Sequence, residues 1–233
     1  MSAGEACFNS RAEAYIIPNK DKEMEDLKKV FAGKLLGIKA VKLQPNDPFT
    51  WASGWKSPFY CDNRVALSDH NVRSFVKLEL VHAVLEHFPE ADAVAGVATG
   101  AIAQGALVAD ELALPYAYVR PKPKDHGMKN QIEGRLPEGA KVVVVEDLIS
   151  TGGSSLKAVA ALREAGFEVV GMVASFTYGF PVAEEAFREA GVKLVTLTDY
   201  PHMVEKALET GYIKEEDVPV LHEWRKDPAN WKK

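Results

Sequence analysis

The chain has 233 residues, of which 47% are hydrophobic, enough for one sizeable core with an appended lobe. Its 33 acidic and 28 basic residues give a formal net charge of −5, which argues against a generic polyanion-binding surface and so against a nucleic-acid partner. Two cysteines, Cys7 and Cys61, are too few for a disulfide framework or a thiolate metal site, and no run approaches the roughly 20 apolar residues of a membrane span. We expect a soluble, cytoplasmic protein that does not enter membranes.

The first part of the chain predicts an extension, a helix and a small lobe. Residues 1–21 form an N-terminal extension without a regular pattern. In the segment that follows, Leu27, Phe31 and Leu35 fall on one face of a predicted helix. A stretch rich in Pro, Trp and turn residues then favours short strands and loops. Residues 22–67 are therefore predicted to form a leading helix and a small hood lobe.

The remaining residues, 68–233, predict an α/β core with closing helices. Ser68 can cap a helix that runs to Phe88. Short apolar runs then alternate with helical patterns, interrupted by a polar loop over 121–140, and a helix is expected from about Gly152 to Ala165. Strands joined by single helices imply a mostly parallel sheet flanked by helices.

The segment KVVVVEDLISTGGSS, residues 141–155, runs from an apolar strand through two acids into a turn of Ser, Thr and Gly. Ligands of parallel sheets bind beyond the carboxyl ends of the strands, and Glu146 and Asp147 mark such an end. Glycines let successive backbone N–H groups converge on an anion, and the helix N-terminus adds favourable partial charge. The hydroxyls available as further donors are those of Ser150, Thr151, Ser154 and Ser155.

The acids narrow the choice of ligand. Carboxylates repel phosphate, so they must hold something neutral or cationic that is attached to it, such as ribose hydroxyls or Mg²⁺. The sequence of residues 141–155 matches neither the Walker P-loop motif nor the dinucleotide-binding motif. A turn that only caps its helix, with both acids facing solvent, is the simpler alternative.

This segment resembles the phosphoribosyl pyrophosphate (PRPP) binding motif of type I phosphoribosyltransferases. The resemblance implies their α/β fold, in which a mostly parallel sheet is flanked by helices and joined by a small N-terminal hood lobe. It implies that the two acids hold the ribose hydroxyls and that residues 150–154 wrap the 5′-phosphate. The residues of the motif so assigned to PRPP are Glu146, Asp147, Leu148, Ile149, Ser150, Thr151, Gly152, Gly153 and Ser154.

Two further segments resemble orotate phosphoribosyltransferases. YVRPKPKDHGMKNQIEG, residues 118–134, is similar to their mobile catalytic loop, and FTWASGWKSPFYCDNR, residues 49–64, is similar to their N-terminal signature. The likeness covers nearly everything after residue 22. It implies a pentosyltransferase that moves 5-phosphoribose from PRPP to N1 of orotate, giving orotidine 5′-monophosphate and pyrophosphate in pyrimidine biosynthesis. It also implies a homodimer with shared active sites, and Mg²⁺ that arrives with PRPP rather than at a fixed metal site of the protein.

Residues of the segment 118–134 can be matched one by one to positions of the family's catalytic loop. Arg120, Lys124 and His126 match its pyrophosphate-binding positions. Some relatives have a lysine directly after the arginine, where this chain has Pro121, so Lys122 is the candidate replacement. A second pyrophosphate-contacting loop falls at residues 98–100. The residues that the likeness makes catalytic are Lys124, His126 and Asp147.

For orotate, Ser150 matches a hydroxyl that touches the base, and Tyr60 and Cys61 lie where the hood contacts the pyrimidine. In some relatives an arginine after the strand that corresponds to VVGMVASF binds the orotate carboxylate. In this chain the strand is followed by TYGF, which contains no arginine. Arg64 is then the nearest candidate to bind that carboxylate.

The residues from 120 to 135, taken alone, form a cationic island in an acidic protein, which suits a pyrophosphate leaving group but also an ordinary solvated loop. Two other functions share part of the pattern. A phosphoribosyltransferase for another base would carry the acidic pair without KDHG and SGWKSP. A PRPP-sensing regulator that binds RNA would need a broad basic face, against which the net charge argues.

Overall fold

A computed structural model describes residues 20–50, 54–122 and 131–232. Their secondary structure follows the predicted alternation of strands and helices. The elements in chain order are α1 (Lys20–Gly37), β1 (Val41–Leu43), β2 (Phe49–Thr50), β3 (Lys56–Ser57), β4 (Phe59–Cys61), a 3₁₀ helix (Asn63–Ser68), α2 (His70–His87), β5 (Ala93–Val97), α3 (Ile102–Leu112), β6 (Tyr116–Val119), β7 (Ile132–Gly134), β8 (Lys141–Ile149), α4 (Gly153–Glu164), β9 (Glu168–Thr177), α5 (Pro181–Glu189), β10 (Leu194–Asp199), α6 (Tyr200–Glu209), a 3₁₀ turn (Glu215–Asp217) and α7 (Val218–Lys226).

Six strands form the central sheet in the order β10-β9-β8-β5-β6-β7. All neighbours run parallel except β6 and β7, so the predicted mostly parallel sheet is confirmed. The valines of β8 show why that strand has no polar alternation. Val143 and Val145 belong to one hydrophobic cluster, and Val142 and Val144 belong to a second. A strand buried on both faces needs apolar residues at every position.

The N-terminal part packs on this sheet. Helix α1 lies against α6 and β10, and the hood consists of two short antiparallel pairs, β1 with β4 and β2 with β3. Phe31 of α1, Phe59 of β4 and Trp224 of α7 share one hydrophobic cluster with valines of β8. The phenyl ring of Phe59 stacks on that of Phe176, with centroids 5.5 Å apart, which fixes the hood over the end of β9. The boundaries after residues 21 and 67 stay predictions.

Two details differ from the sequence-based expectation. The loop predicted over 121–140 contains strand β7, which exists because Ile132 and its neighbours pair with β6. Helix α2 is capped by Asp69 and not by Ser68, since the Asp69 carboxylate accepts a hydrogen bond from the N–H of Val72 at 2.9 Å while Ser68 ends the preceding 3₁₀ helix.

Within the described residues, every helix is too short or too polar to cross a membrane.

Candidate active site

The site lies where β8 extends beyond its neighbour β5. The last pair between these strands joins Gly96 to Val145, whereas pairing with β9 continues as far as Ile149. Glu146 and Asp147 therefore stand within the strand and not beyond its tip. They have β9 on one side and the loop that follows β5 on the other. The longer ladder with β9 is what holds the acids inside a regular strand.

Glu146 faces inward and is only 4% exposed. Its Oε1 accepts a hydrogen bond from the backbone N–H of Asp147 at 2.9 Å, and its Oε2 accepts one from the hydroxyl of Ser155 at 2.8 Å. Burial, followed by the nearby charge of Asp147, raises the pKa of Glu146 to about 8. Glu146 thus joins β8 to helix α4. Ser155, expected among the phosphate donors, is buried, and its hydroxyl donates its hydrogen bond to Glu146 instead.

Asp147 is half-buried, and its carboxylate lies against the loop that follows β5. A Cβ atom built on Gly100 would come within 2.0 Å of Oδ2 of Asp147, so this loop approaches the carboxylate as closely as a backbone can. Burial is the largest influence on the pKa of Asp147 and raises it. The Asn63 amide donates to the Asp147 carbonyl oxygen at 2.6 Å, which ties the hood to the strand.

The Ser/Thr/Gly turn leads directly into α4. Gly152 adopts φ of 79°, and a Cβ there would lie 2.9 Å from the ring of Phe187, so both the backbone angle and the lack of space favour glycine. Within the described structure no side chain caps the N-terminus of α4. The N–H groups of its first turn are thus available to an anion, and Thr151, Gly153 and Ser154 are exposed around them.

A cavity of about 500 Å³ lies beneath the hood, beside this turn. Tyr60, Cys61 and Ser150, all assigned to orotate from the sequence, line it together. Burial raises the pKa of the Cys61 thiol well above its usual range, so the thiol is protonated and donates to Asn63 Oδ1 at 3.3 Å. The full lining consists of Phe49, Thr50, Tyr60, Cys61, Leu148, Ser150 and Tyr178.

Arg64 does not line this cavity. Its guanidinium donates twice to the carboxylate of Asp62, from Nε to Oδ1 at 2.7 Å and from Nη2 to Oδ2 at 2.9 Å. Its charge nevertheless lies close enough to Asp147 to lower the pKa of that carboxyl in part, against the larger effect of burial. The arginine expected to bind the orotate carboxylate is therefore occupied by another acid.

The predicted catalytic loop begins at Arg120, and its ends are joined. The N–H of Arg120 donates to the Gln131 carbonyl oxygen at 2.8 Å, and the Gln131 amide donates back to the Arg120 carbonyl oxygen at 2.7 Å. Arg120 and Lys122 line a second cavity, of about 260 Å³, together with Ser154 and Lys157. Lys124 and His126 lie outside the described residues.

One nitrogen in this second cavity stands out. Nη1 of Arg120 is buried and has no hydrogen-bond partner among the described residues, and it lies 3.6 Å from the Glu133 carboxylate. A buried guanidinium nitrogen without an acceptor is an available anion-binding group.

The sequence interpretation missed several lining residues. Tyr178 follows the carboxyl end of β9, so the same strand-end rule that identified Glu146 could have found it. Lys157 lies one helical turn after Ser154 and could have been found by following that face of α4. Phe49 and Thr50 carry no local signal for a ligand.

Comparison with known proteins gives relatives that cover most of the chain. The model of the phosphoribosyl transferase domain family matches residues 80–200. Orotate phosphoribosyltransferase of Phocaeicola vulgatus is 70% identical over 208 residues, which are 89% of this chain and 98% of the relative, and that of Bacteroides fragilis is 68% identical over the same shares.

The crystal structure of orotate phosphoribosyltransferase from Aeropyrum pernix superimposes with a TM-score of 0.69 at 33% identity, covering 79% of this chain and 99% of that one. The Ser/Thr/Gly turn next to the hood-covered cavity is thus found in a chain that shares more than half of its sequence with several of its relatives. The chain belongs to the orotate phosphoribosyltransferase family.

Proposed function

We propose that the protein transfers 5-phosphoribose from PRPP to N1 of orotate, releasing pyrophosphate and forming orotidine 5′-monophosphate in the synthesis of UMP. One observation supports this most directly. Ser150 opens the phosphate-binding turn and also lines the cavity under the hood, so a sugar phosphate held by the turn would present its anomeric carbon to a base in the cavity. Sharing one residue between the two subsites suits a ligand in which phosphate, ribose and base are covalently joined.

The reaction breaks the bond from C1 of ribose to the pyrophosphate oxygen and forms the bond from C1 to N1 of orotate. The proton on N1 is released to the departing pyrophosphate or to water. Positive charge develops on the sugar ring as the leaving group departs, as in glycosidic cleavage. The Asp147 carboxylate, beside the ribose subsite, would hold the hydroxyls and favour the cationic ring. Glu146 would support it from behind through the hydrogen bond with the Asp147 N–H. No nucleophile of the protein is needed.

The departing pyrophosphate would be met by the cations of the loop. Arg120 offers Nη1, which makes no hydrogen bond among the described residues, and Lys122 lines the same cavity. Lys124 and His126 complete the set by resemblance. Cations placed where negative charge develops lower the activation barrier most when water is excluded. Closure of the loop over the site would both bring these cations to the leaving group and exclude water.

Mg²⁺ would accompany PRPP, neutralising the charge that grows on the leaving group. Within the residues that the structure describes, no three His, Cys, Asp or Glu side chains converge to hold a metal ion, but Asp147 offers one carboxylate of the hard-oxygen type that Mg²⁺ prefers. One protein carboxylate combined with substrate phosphates is a common way to bind this ion.

The base would lie between Tyr60, Cys61 and Ser150. Arg64, the candidate from the sequence for its carboxylate, is paired with Asp62 in the structure. By resemblance, two copies of the chain would form a homodimer in which the loop of each subunit, with Lys124 and His126, serves the site of the other. We place the reaction in the cytoplasm, because a chain with two cysteines fits a reducing compartment.

The test is pyrophosphate release that depends on both PRPP and Mg²⁺, assayed with orotate, uracil, adenine and hypoxanthine in parallel. We expect turnover with orotate only. Turnover with a purine and not with orotate would overturn the assignment of the base. PRPP binding without turnover of any base, together with RNA binding, would support the regulator instead.

A further inference from the structure

Among the residues that the structure describes, the lining of the cavity under the hood offers no cation to pair with the charge of orotate. Orotate is a uracil that carries a carboxylate at C6, next to the N1 atom that reacts. None of the seven lining residues is cationic, and most are aromatic or aliphatic. Burying a carboxylate beside such groups without a hydrogen-bonded cation is strongly unfavourable. If the proposed function holds, a cation at the rim of this cavity must meet the carboxylate.

Two arginines near the cavity are already committed. Arg64 is paired with both oxygens of the Asp62 carboxylate, so its charge is balanced where it stands. Arg225 donates to the carbonyl oxygens of Tyr178 at 3.1 Å and of Gly179 at 2.7 Å, and thereby holds the turn after β9 on helix α7. Recruiting either of them would break contacts that the protein makes without ligand.

Lys56 is differently placed. Its Nζ donates to Oγ1 of Thr50 at 2.8 Å, and Thr50 lines the cavity. The two residues are directly opposite in the β2–β3 pair, so their side chains extend from the same face of the hairpin. In the described part of the chain the Lys56 ammonium has this hydroxyl as its partner and no carboxylate. Two of its three protons remain available for an incoming anion.

The backbone that carries Lys56 is held by the core. The indole N–H of Trp224 donates to the Lys56 carbonyl oxygen at 3.2 Å, and Trp224 is 0% exposed. The next residue, Ser57, is also 0% exposed, and its hydroxyl donates to the Phe59 carbonyl oxygen at 2.7 Å. The hairpin therefore presents a lysine from a fixed backbone position, and the long side chain itself supplies the reach.

We propose that Lys56, with Thr50 as its positioning hydroxyl, binds the carboxylate of orotate and is the residue that selects this base over uracil. The inference rests on the proposed function and adds to it the group that recognises the charge of the substrate. A salt-bridged hydrogen bond of this kind discriminates strongly, because a ligand without the carboxylate leaves the ammonium unpaired.

The experiment compares Lys56→Gln with the wild type in steady-state assays of PRPP and orotate, with uracil as a competitor. We expect the KM for orotate to rise about 10- to 100-fold, as for the loss of a hydrogen bond to a charged group. The KM for PRPP and the inhibition constant of uracil should change little. Lys56→Arg, which keeps the charge, should recover part of the affinity, and Thr50→Val should show a smaller rise than Lys56→Gln.

Lys42→Gln is the matched control, because Lys42 is an exposed lysine of the same hood that lies on β1, outside the cavity lining. It should leave every constant unchanged. An unchanged KM for orotate in Lys56→Gln, with wild-type turnover intact, would overturn this inference alone. So would a rise in Arg64→Gln that Lys56→Gln does not share. A wild type that does not use orotate would instead overturn the proposed function.

Discussion

The Cα atom of Gly100 faces the carboxylate of Asp147 so closely that a Cβ atom would lie 2.0 Å from Oδ2 and 2.3 Å from Cγ. The contact follows from the sheet. Strands β5 and β8 are parallel neighbours whose last pair is Gly96 with Val145, so the chain that leaves β5 must pass beside the residues that continue β8. One residue type fits at the crossing, because any side chain would displace the acid.

Replacing Gly100 by Ala should therefore move the Asp147 carboxylate and reduce turnover by at least about tenfold, since a shift of about 1 Å at a catalytic group has effects of this size or larger. PRPP binding and turnover are the measurements. Gly37→Ala is the control, because nothing lies within 4 Å of a Cβ at that position. Wild-type turnover in Gly100→Ala would show that the position of this carboxylate does not matter.

Asp147→Asn removes the charge and keeps the shape. Because burial raises the pKa of Asp147, the neutral amide should not destabilise the fold, and the melting temperature should stay close to that of the wild type. Turnover should fall by about 100-fold or more, the size seen when a group that stabilises a transition-state charge is removed. Asp26→Asn, which changes an exposed acid of α1, should affect neither quantity. Retained turnover in Asp147→Asn would refute its catalytic role.

The fold could be predicted because its strongest signals are local. Strand β8 is apolar from Val142 to Val145 because both of its faces are covered, and helices follow β5, β8, β9 and β10 of the parallel sheet. Strand β7 could not be predicted. Its three residues become a strand only through pairing with β6, and the reciprocal hydrogen bonds of Arg120 and Gln131 that close the loop depend on that pairing.

The sequence predicts the segment of the candidate site but not the hydrogen bonds within it. The motif places Glu146 and Asp147 near the carboxyl end of a buried strand, and both residues lie in the last part of β8. It could not tell that Glu146 turns toward Ser155, or that Arg64 binds Asp62, because a charged side chain chooses among neighbours that only the packed backbone brings near. Lys56 lies within the N-terminal signature, residues 49–64, but its hydrogen bond to Thr50 depends on the pairing of β2 with β3, which the sequence does not show.

Glu146 should make stability depend on pH. The pKa of Glu146 in the folded protein, about 8, lies above the ordinary value of 4.5. The stability that the protonated Glu146 side chain contributes to the fold is therefore fully present below pH 4.5 and is lost as the pH rises through 8. Glu146→Gln stays neutral throughout. Relative to the wild type it should become more stable between pH 5 and pH 9 by about 1 to 4 kcal/mol in the free energy of unfolding. Parallel denaturation curves at several pH values measure this difference, and a constant offset would contradict the assignment.

A second pH dependence comes from the attachment of α1. His202 lies between Asp199, at 2.5 Å from Nδ1, and Glu25 of α1, at 2.6 Å from Nε2, and Lys28 contacts both acids. Burial would lower the pKa of His202, but its hydrogen bonds with the two acids raise it.

The stabilisation by protonated His202 is therefore complete below about pH 6.5 and is lost as the pH rises through the raised folded pKa. His202→Gln should lower Tm by about 2–4 °C at pH 6 and by less at pH 9. His222→Gln, on the exposed face of α7, should lower it at neither pH. An equal loss at both values would mean that His202 acts through packing and not through charge.

Shared active sites make a quantitative prediction for mixed dimers. If the loop of one subunit completes the site of the other, homodimers of Lys124→Ala and of Asp147→Asn should each be nearly inactive, because every site contains one damaged part. A hybrid of the two would hold one doubly damaged site and one intact site. Random reassortment of equal amounts puts about half of the molecules in hybrids, so activity should recover to roughly a quarter of the wild-type value.

The measurement is orotate-dependent pyrophosphate release after the two variants exchange subunits in mild denaturant. Tagging each variant differently allows the hybrid to be purified, and its activity should then approach half of the wild-type value, since one of its two sites is whole. Mixing each variant with wild type controls for losses during exchange. If purified hybrids form and remain as inactive as the parent homodimers, Lys124 serves the site of its own subunit, because in that case each half of the hybrid would still carry its own damage.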